Sequence, residues 1–190
     1  MNTRDKMINW LAKFGSMRTL LMGLTLSVTP LLLAQATPTF RTLPGRCHMG
    51  ICWDNQYRGK TLLYQGKGDR LYSVELAFRS WEMGAEPPNI FEAPRTIYAY
   101  CSTAKPALIF PEDSSNSDSG YIAHLLNPGG DDWAGYNMDD YPIYWLTCHN
   151  IVGPDFFSEE MSDRALQLGY PLNLPSESLT LDRWRDIIEE

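Results

Sequence analysis

Between Arg70 and Trp81 the chain reads RLYSVELAFRSW, with Tyr72, Val74, Leu76 and Phe78 alternating with Ser73, Glu75 and Arg79. A period of two marks a strand with one face buried. KTLLY precedes it across QGKGD, whose two glycines admit the positive φ of a tight turn, so the pair predicts a β-hairpin. Pro87 and Pro88 in EPPN interrupt the pattern, because proline cannot donate to a ladder. RTIYAYCS and PALIF resume it, and the polar stretch PEDSSNSDSG reads as a solvated hairpin loop leading into YIAHLL. PIYWLTCHN reads as a last strand, ending at Cys148.

Helical signals gather near the C-terminus. Ser158 is placed to cap EEMSDRALQL, Glu159 and Glu160 suit a helix N-terminus, and Gly169 suits its stop. Pro171 and Pro175 keep YPLNLPSES extended. LTLDRWRDII then predicts a second short helix, capped by Thr180, with Leu181, Trp184 and Ile188 along one side. The pattern as a whole predicts an α+β class: an antiparallel β-sheet domain with two short C-terminal helices.

The N-terminal part follows a different logic. TLLMGLTLSVTPLLL, Thr19 to Leu33, is an apolar run preceded by Arg18 and followed by AQA, Ala34 to Ala36. A basic flank, a short apolar core and an A-x-A site are the parts of a secretory signal peptide. A membrane helix needs about 20 apolar residues. The expectation is a cleaved leader over residues 1–36 and a single exported domain over 37–190, in a periplasm, a lumen or the exterior. Met17, followed directly by Arg18 and the apolar core, is a better start than the long stretch MNTRDKMINWLAKFGS. No cysteine follows the core to carry a lipid, and nothing later is apolar enough to span a bilayer, so no membrane insertion is expected after processing.

Export changes the charge. The whole chain carries −7, but the leader takes away Arg4, Lys6, Lys13, Arg18 and Asp5, leaving −10 on the remainder. Such an acidic protein repels phosphate backbones, which excludes nucleic acid as a partner.

Export also decides what the cysteines do. Cys47, Cys52, Cys101 and Cys148 all lie beyond the leader, and an even count in an oxidising compartment predicts two disulfides. Of the three connectivities, Cys47 with Cys52 and Cys101 with Cys148 is preferred, the last two each ending an apolar strand-like run. In YWLTCHN the position three before Cys148 is Trp145, not the cysteine that C-x-x-C-H haem attachment needs, and no pair of cysteines has the C-x-x-C of thioredoxin-like chemistry. A zinc site from Cys47, Cys52, His48 and His149 would compete with oxidation and lacks paired C-x-x-C halves. Neither a metal nor a cofactor is expected.

NPGGDDWAGYNMDDYP, Asn127 to Pro142, is a candidate binding loop, with Asp131, Asp132, Asp139 and Asp140 beside Trp133, Tyr136 and Tyr141. It does not fit the ligand frame of an EF-hand, and its plainer reading is an acidic connection that keeps the domain soluble. His48 and His149 each follow a cysteine, where a disulfide would orient an imidazole for acid or base work. Neither G-x-S-x-G nor H-E-x-x-H accompanies them, and a bonded cysteine cannot attack, so no catalytic residue is assigned. His124, on the Ile122 and Leu126 side of YIAHLL, reads as a hydrogen-bonded core residue.

At YAYCSTAKPALIF, YWLTCHN and ALQLGYPL the chain resembles small exported proteins of cyanobacterial type with no assigned activity, over about Tyr98 to Leu172. The resemblance implies export and nothing chemical. The expected function is that of an exported, disulfide-stabilised, non-enzymatic binding or structural protein, its ligand unknown and its partner in the envelope or outside. The alternative is an exported hydrolase-like enzyme using His149 with nearby acidic residues. That alternative requires His149 within hydrogen-bond reach of a buried carboxylate beside a pocket.

Overall fold

A computed structural model describes residues 40–112, 120–130, 137–153 and 159–188. Seven strands form one antiparallel sheet in sequence order: β1 (Arg41–His48), β2 (Ile51–Gln65), β3 (Arg70–Glu82), β4 (Arg95–Cys101), β5 (Ala107–Pro111), β6 (Tyr121–Leu125) and β7 (Ser178–Leu181). Two short helices, α1 (Tyr141–His149) and α2 (Glu159–Gln167), lie between β6 and β7 in the chain. This is the α+β architecture expected, with disulfides Cys47–Cys52 and Cys101–Cys148.

The alternation read from the sequence sorts side chains onto two faces. Tyr72, Val74 and Leu76 of β3, with Ile97, Ala99 and Cys101 of β4 and Leu108 of β5, pack against α1. Leu71, Tyr100, Ala107, Ile109, Ala123 and Leu125 point to the other face, where Leu181 and Ile187 cover them. Tyr98 stacks on Trp184 there, with ring centroids 4.9 Å apart.

Two segments differ from their sequence reading, and a third had none. PIYWLTCHN is not a strand but α1, buried from Tyr141 to Cys148. A helix apolar on every side has no period of 3.6 to betray it, and its aromatic and β-branched residues favour a strand reading. Its ends nevertheless carry helix chemistry: Pro142 sits in the first turn, and Asn150 adopts a left-handed cap (φ 56°) whose N–H bonds to the Leu146 carbonyl. Cys148 therefore reaches Cys101 from a helix lying on the sheet, not from a neighbouring strand.

LTLDRWRDII likewise does not form one helix capped by Thr180. Thr180 pairs with Ile122 in the sheet, Leu181 is buried, and only Trp184–Ile188 coils, as a 3₁₀ turn. The segment without a reading is β1 with the first half of β2. Asp54, Asn55, Gln56 and Arg58 obscure a strand there, but Asp54 is tolerated because Arg79 meets both its oxygens at 2.7 Å. EEMSDRALQL does form a helix, and Gly169 (φ 91°) stops it, with the Tyr170 N–H bonding back to the Ala165 carbonyl.

Candidate functional site

The start of α1 is held by charge. Asp140, at its N-cap position, accepts a hydrogen bond from His124 Nδ1 of β6 at 2.7 Å. Burial pushes the Asp140 carboxyl up, and His124 holds it back. Its neighbour Asp139 pairs with Arg46 of β1, whose Nε lies 2.9 and 3.0 Å from the two carboxylate oxygens. Adjacent aspartates thus reach strands five places apart in the sheet. His124 Nδ1 is held by a carboxylate, but among the described residues no hydroxyl or thiol is hydrogen-bonded to the ring.

The other end of α1 is held covalently and by neutral hydrogen bonds. Cys148 is bonded to Cys101, and His149 Nε2 lies 2.6 Å from the Tyr170 hydroxyl. Tyr170 lies 2.9 Å from the Tyr144 hydroxyl, which donates to the Ser102 carbonyl at 3.4 Å. A carbonyl only accepts, so the single Tyr144 proton goes to Ser102, Tyr170 donates to Tyr144, and His149 donates from Nε2. Burial, then the positive fields of Arg70, Arg164 and Lys60, lowers the His149 pKa to about 4. Burial raises Tyr170 to about 12 and Tyr144 well above the usual phenol. His149 is therefore a neutral, weak base bonded to a phenol, and among the described residues the charged groups acting on it are cations. The imidazole–carboxylate pairing occurs instead at His124.

A groove opens along β1. Gly45 approaches β2 so closely that a Cβ there would lie 1.6 Å from the Trp53 carbonyl oxygen, and the sheet register shifts between Leu43 and Arg46. The resulting concavity of about 450 Å³ is lined by Leu43, Arg46, Trp53, Asp54, Trp81 and Val152, among others. Arg46 lies over the Trp53 ring at 5.3 Å, and Arg79 lies over Trp81 and Phe91 at 5.5 and 4.5 Å. Arg46, the guanidinium that lines the groove, is already paired with Asp139, and nearby Arg79 is paired with Asp54, so these cations are satisfied within the protein.

Beyond the groove, Met49 and Gly50 make a two-residue turn with positive φ at both positions (50° and 85°), and Cys47 stands directly opposite Cys52. Exposed Met49, Ile51 and Met83 gather at this tip, where the Met83 N–H bonds to the Gly50 carbonyl.

Of the loop singled out in the sequence, Asp131, Asp132, Trp133 and Tyr136 lie outside the described residues. The other three face inward: Asp139 and Asp140 make the ion pairs above, and Tyr141 is buried with its hydroxyl accepting from the Asn127 N–H. Among the described residues no three of His, Cys, Asp and Glu are grouped to hold a metal ion. Arg46, Trp53, Trp81 and Arg79 were not legible as a site. Trp53 follows the cysteine pair at once, but Trp81 comes opposite Cys52 only through a hairpin register displaced by two irregularities, at Tyr57/Gly59 and Leu62/Tyr64. No family model, curated protein or solved structure matches the chain.

Proposed function

We propose that the protein is an exported, disulfide-stabilised, non-enzymatic binding or structural protein whose ligand surface is the groove along β1. The observation that carries this reading is the groove itself: a concavity that Trp53 and Trp81 both line and whose Arg46 is already neutralised by Asp139. Such a wall suits ligands with flat apolar faces better than ionic ones. Export is supported by the leader pattern before Thr37 and by two disulfides, and no helix among the described residues is long and apolar enough to cross a membrane. The partner is then one met in the envelope or outside. Among the described residues the enzymatic alternative on His149 finds no carboxylate: the imidazole is bonded to Tyr170 and pressed by cations.

Titration with neutral oligosaccharides and extended peptides, followed by indole fluorescence, tests the reading. A saturable response is expected, lost when Trp53 and Trp81 are both changed to Ala in protein that keeps its far-ultraviolet dichroism. Silence from every probe, together with His149-dependent cleavage of a chromogenic ester, would replace it with the enzymatic reading. N-terminal sequencing of the native product should begin within two residues of Thr37, and a retained leader would overturn release as a soluble domain.

A further inference from the structure

The strand β1 is an edge of the sheet: β2 pairs with one of its sides, and among the described residues no main-chain group is hydrogen-bonded to the other. The far edge, β7, has four residues, whereas β1 has eight and spans about 26 Å at the rise of a strand. The groove follows this edge. Thr42, Leu43, Pro44, Gly45, Arg46 and Cys47 line it one after another, although successive residues of a strand point to opposite faces. Trp53 and Trp81 line it too, and register puts them on opposite faces, since Trp53 stands across from Ser80 and Trp81 from Cys52. A hollow that takes in residues of both faces opens on the rim of the sheet.

The rim offers main-chain groups as well as side chains. Cys47 and Cys52 have Cα atoms 3.9 Å apart, the close spacing of an antiparallel pair that exchanges no hydrogen bonds, so the Cys47 N–H and C=O point away from β2. The same alternation along β2 makes Gln56 and Thr42 such a pair, and Thr42 also presents its N–H and C=O outward. The disulfide fixes one of these two positions before any ligand arrives. An extended polypeptide answers a free edge with N–H and C=O groups at strand spacing, which a sugar chain does not carry. A second copy of the chain fits less well. Pro44 and the register shift between Leu43 and Arg46 interrupt the edge at its middle, and symmetric pairing of two β1 strands about that middle would set both interruptions against each other. A peptide meets them once.

We propose that the groove takes an extended peptide segment of a partner protein, which adds to the free edge of β1 as a further strand and bonds to the outward main-chain groups of Thr42 and Cys47. The proposal rests on the reading of the groove as the ligand surface and goes beyond it by naming the ligand's chemistry. Main-chain bonds supply affinity in such an arrangement, and the side chains of alternate peptide residues reach the walls of the groove. Because Arg46 is already paired with Asp139, the segment that fits is an uncharged one.

Amide hydrogen exchange of the oxidised protein, read residue by residue, tests the proposal with three probes: a short capped peptide of alternating threonine and valine, the same peptide methylated at every nitrogen, and cellohexaose. In the free protein the Thr42 and Cys47 amides should exchange fast while those of Arg46 and His48, bonded to β2, exchange slowly. The first peptide should slow Thr42 and Cys47 saturably, by about tenfold or more, and the methylated peptide and the sugar should not. Thr42→Pro removes one outward donor and none that β2 uses, so it should weaken the peptide about fivefold in protein that keeps its urea midpoint. Cellohexaose binding that needs Trp53 and Trp81, with no slowing by the peptide, would overturn the peptide assignment and leave the groove as the ligand surface, whereas silence from all three probes would remove both. Equal binding of the methylated peptide would overturn main-chain pairing. Protection of Thr42 and Cys47 in the free protein that grows with its concentration would assign the edge to a second copy instead.

Discussion

The two ends of α1 are tied to the same sheet, one by two paired aspartates and the other by a disulfide and a row of neutral groups. At the start, Asp139 and Asp140 meet Arg46 and His124. At the finish, Cys148 is bonded to Cys101, and His149, Tyr170, Tyr144 and Ser102 pass hydrogen bonds inward. The helix between them is buried on all sides, so apolar contact alone gives it no preferred rotation about its axis. Directional bonds at the termini supply what amphipathicity supplies elsewhere. The ionic end answers to salt and protons, and the neutral end holds its geometry by excluding charge.

The largest test of that contrast removes the covalent tie. Cys101→Ala with Cys148→Ala should cost about 4 kcal/mol in urea unfolding, a large share of a typical 5 to 15 kcal/mol. Cys47→Ala with Cys52→Ala should cost about 2 kcal/mol, because a separation of five residues removes less chain entropy than one of 47. Equal losses would show that the finish of α1 does not depend on its bridge.

The neutral end should fail in base and in acid. Tyr170 keeps its proton to about 12 when folded and to about 10 when unfolded, so its contribution is complete below pH 10 and is lost between 10 and 12, roughly 2 to 3 kcal/mol. His149 has the opposite sense: its folded pKa of about 4 lies below the unfolded value of 6.5, so stability is complete above 6.5 and falls as the pH drops towards 4. Partial exposure reduces that loss to about 1 to 2 kcal/mol. Tyr170→Phe should flatten the alkaline limb and His149→Gln the acid one, both read from denaturant midpoints across pH.

The ionic end should respond in the other direction. Burial raises the folded pKa of Asp140 above 3.8, so the folded state binds the extra proton there and Asp140 favours folding more as the pH falls. Asp140→Ala should cost about 1 to 3 kcal/mol by leaving His124 Nδ1 without its acceptor, and should steepen the acid loss due to His149. Arg46 and Asp139 give the smallest effect. Both are about one-third exposed, and a double-mutant cycle should return about 0.2 to 1 kcal/mol, shrinking with added salt.

Much of this could be read along the chain where neighbours in sequence decide the outcome. The β2–β3 hairpin was legible because Tyr72, Val74 and Leu76 see core on one side and Ser73 and Glu75 do not. The helix α2 was legible because its polar and apolar residues separate around it, and Gly169 marks its stop. The helix α1 was not, since burial on all sides erased the period, although Pro142 and Asn150 flanked it with the right chemistry. Around the candidate sites, His149 was picked out, but Tyr170 and Tyr144 reach it only through packing. Trp53 and Trp81 come to line the same groove only through the pairing of β2 with β3. Pairings of that kind depend on bulges that no local pattern announces.

The turn at Met49 and Gly50 bears on the order in which the chain assembles. A two-residue hairpin closes in about 1 to 10 μs, long before strands distant in sequence can meet, so Cys47 and Cys52 become partners while most of the molecule is still a coil. Only the native register sets the two sulfurs directly across from each other. A slip of one residue would turn Trp53 to the opposite face and part the cysteines at the same time. Oxidation of this small loop therefore works as a proofreading step: it seals β1 against β2 only when the tryptophan already faces the side on which the groove will form.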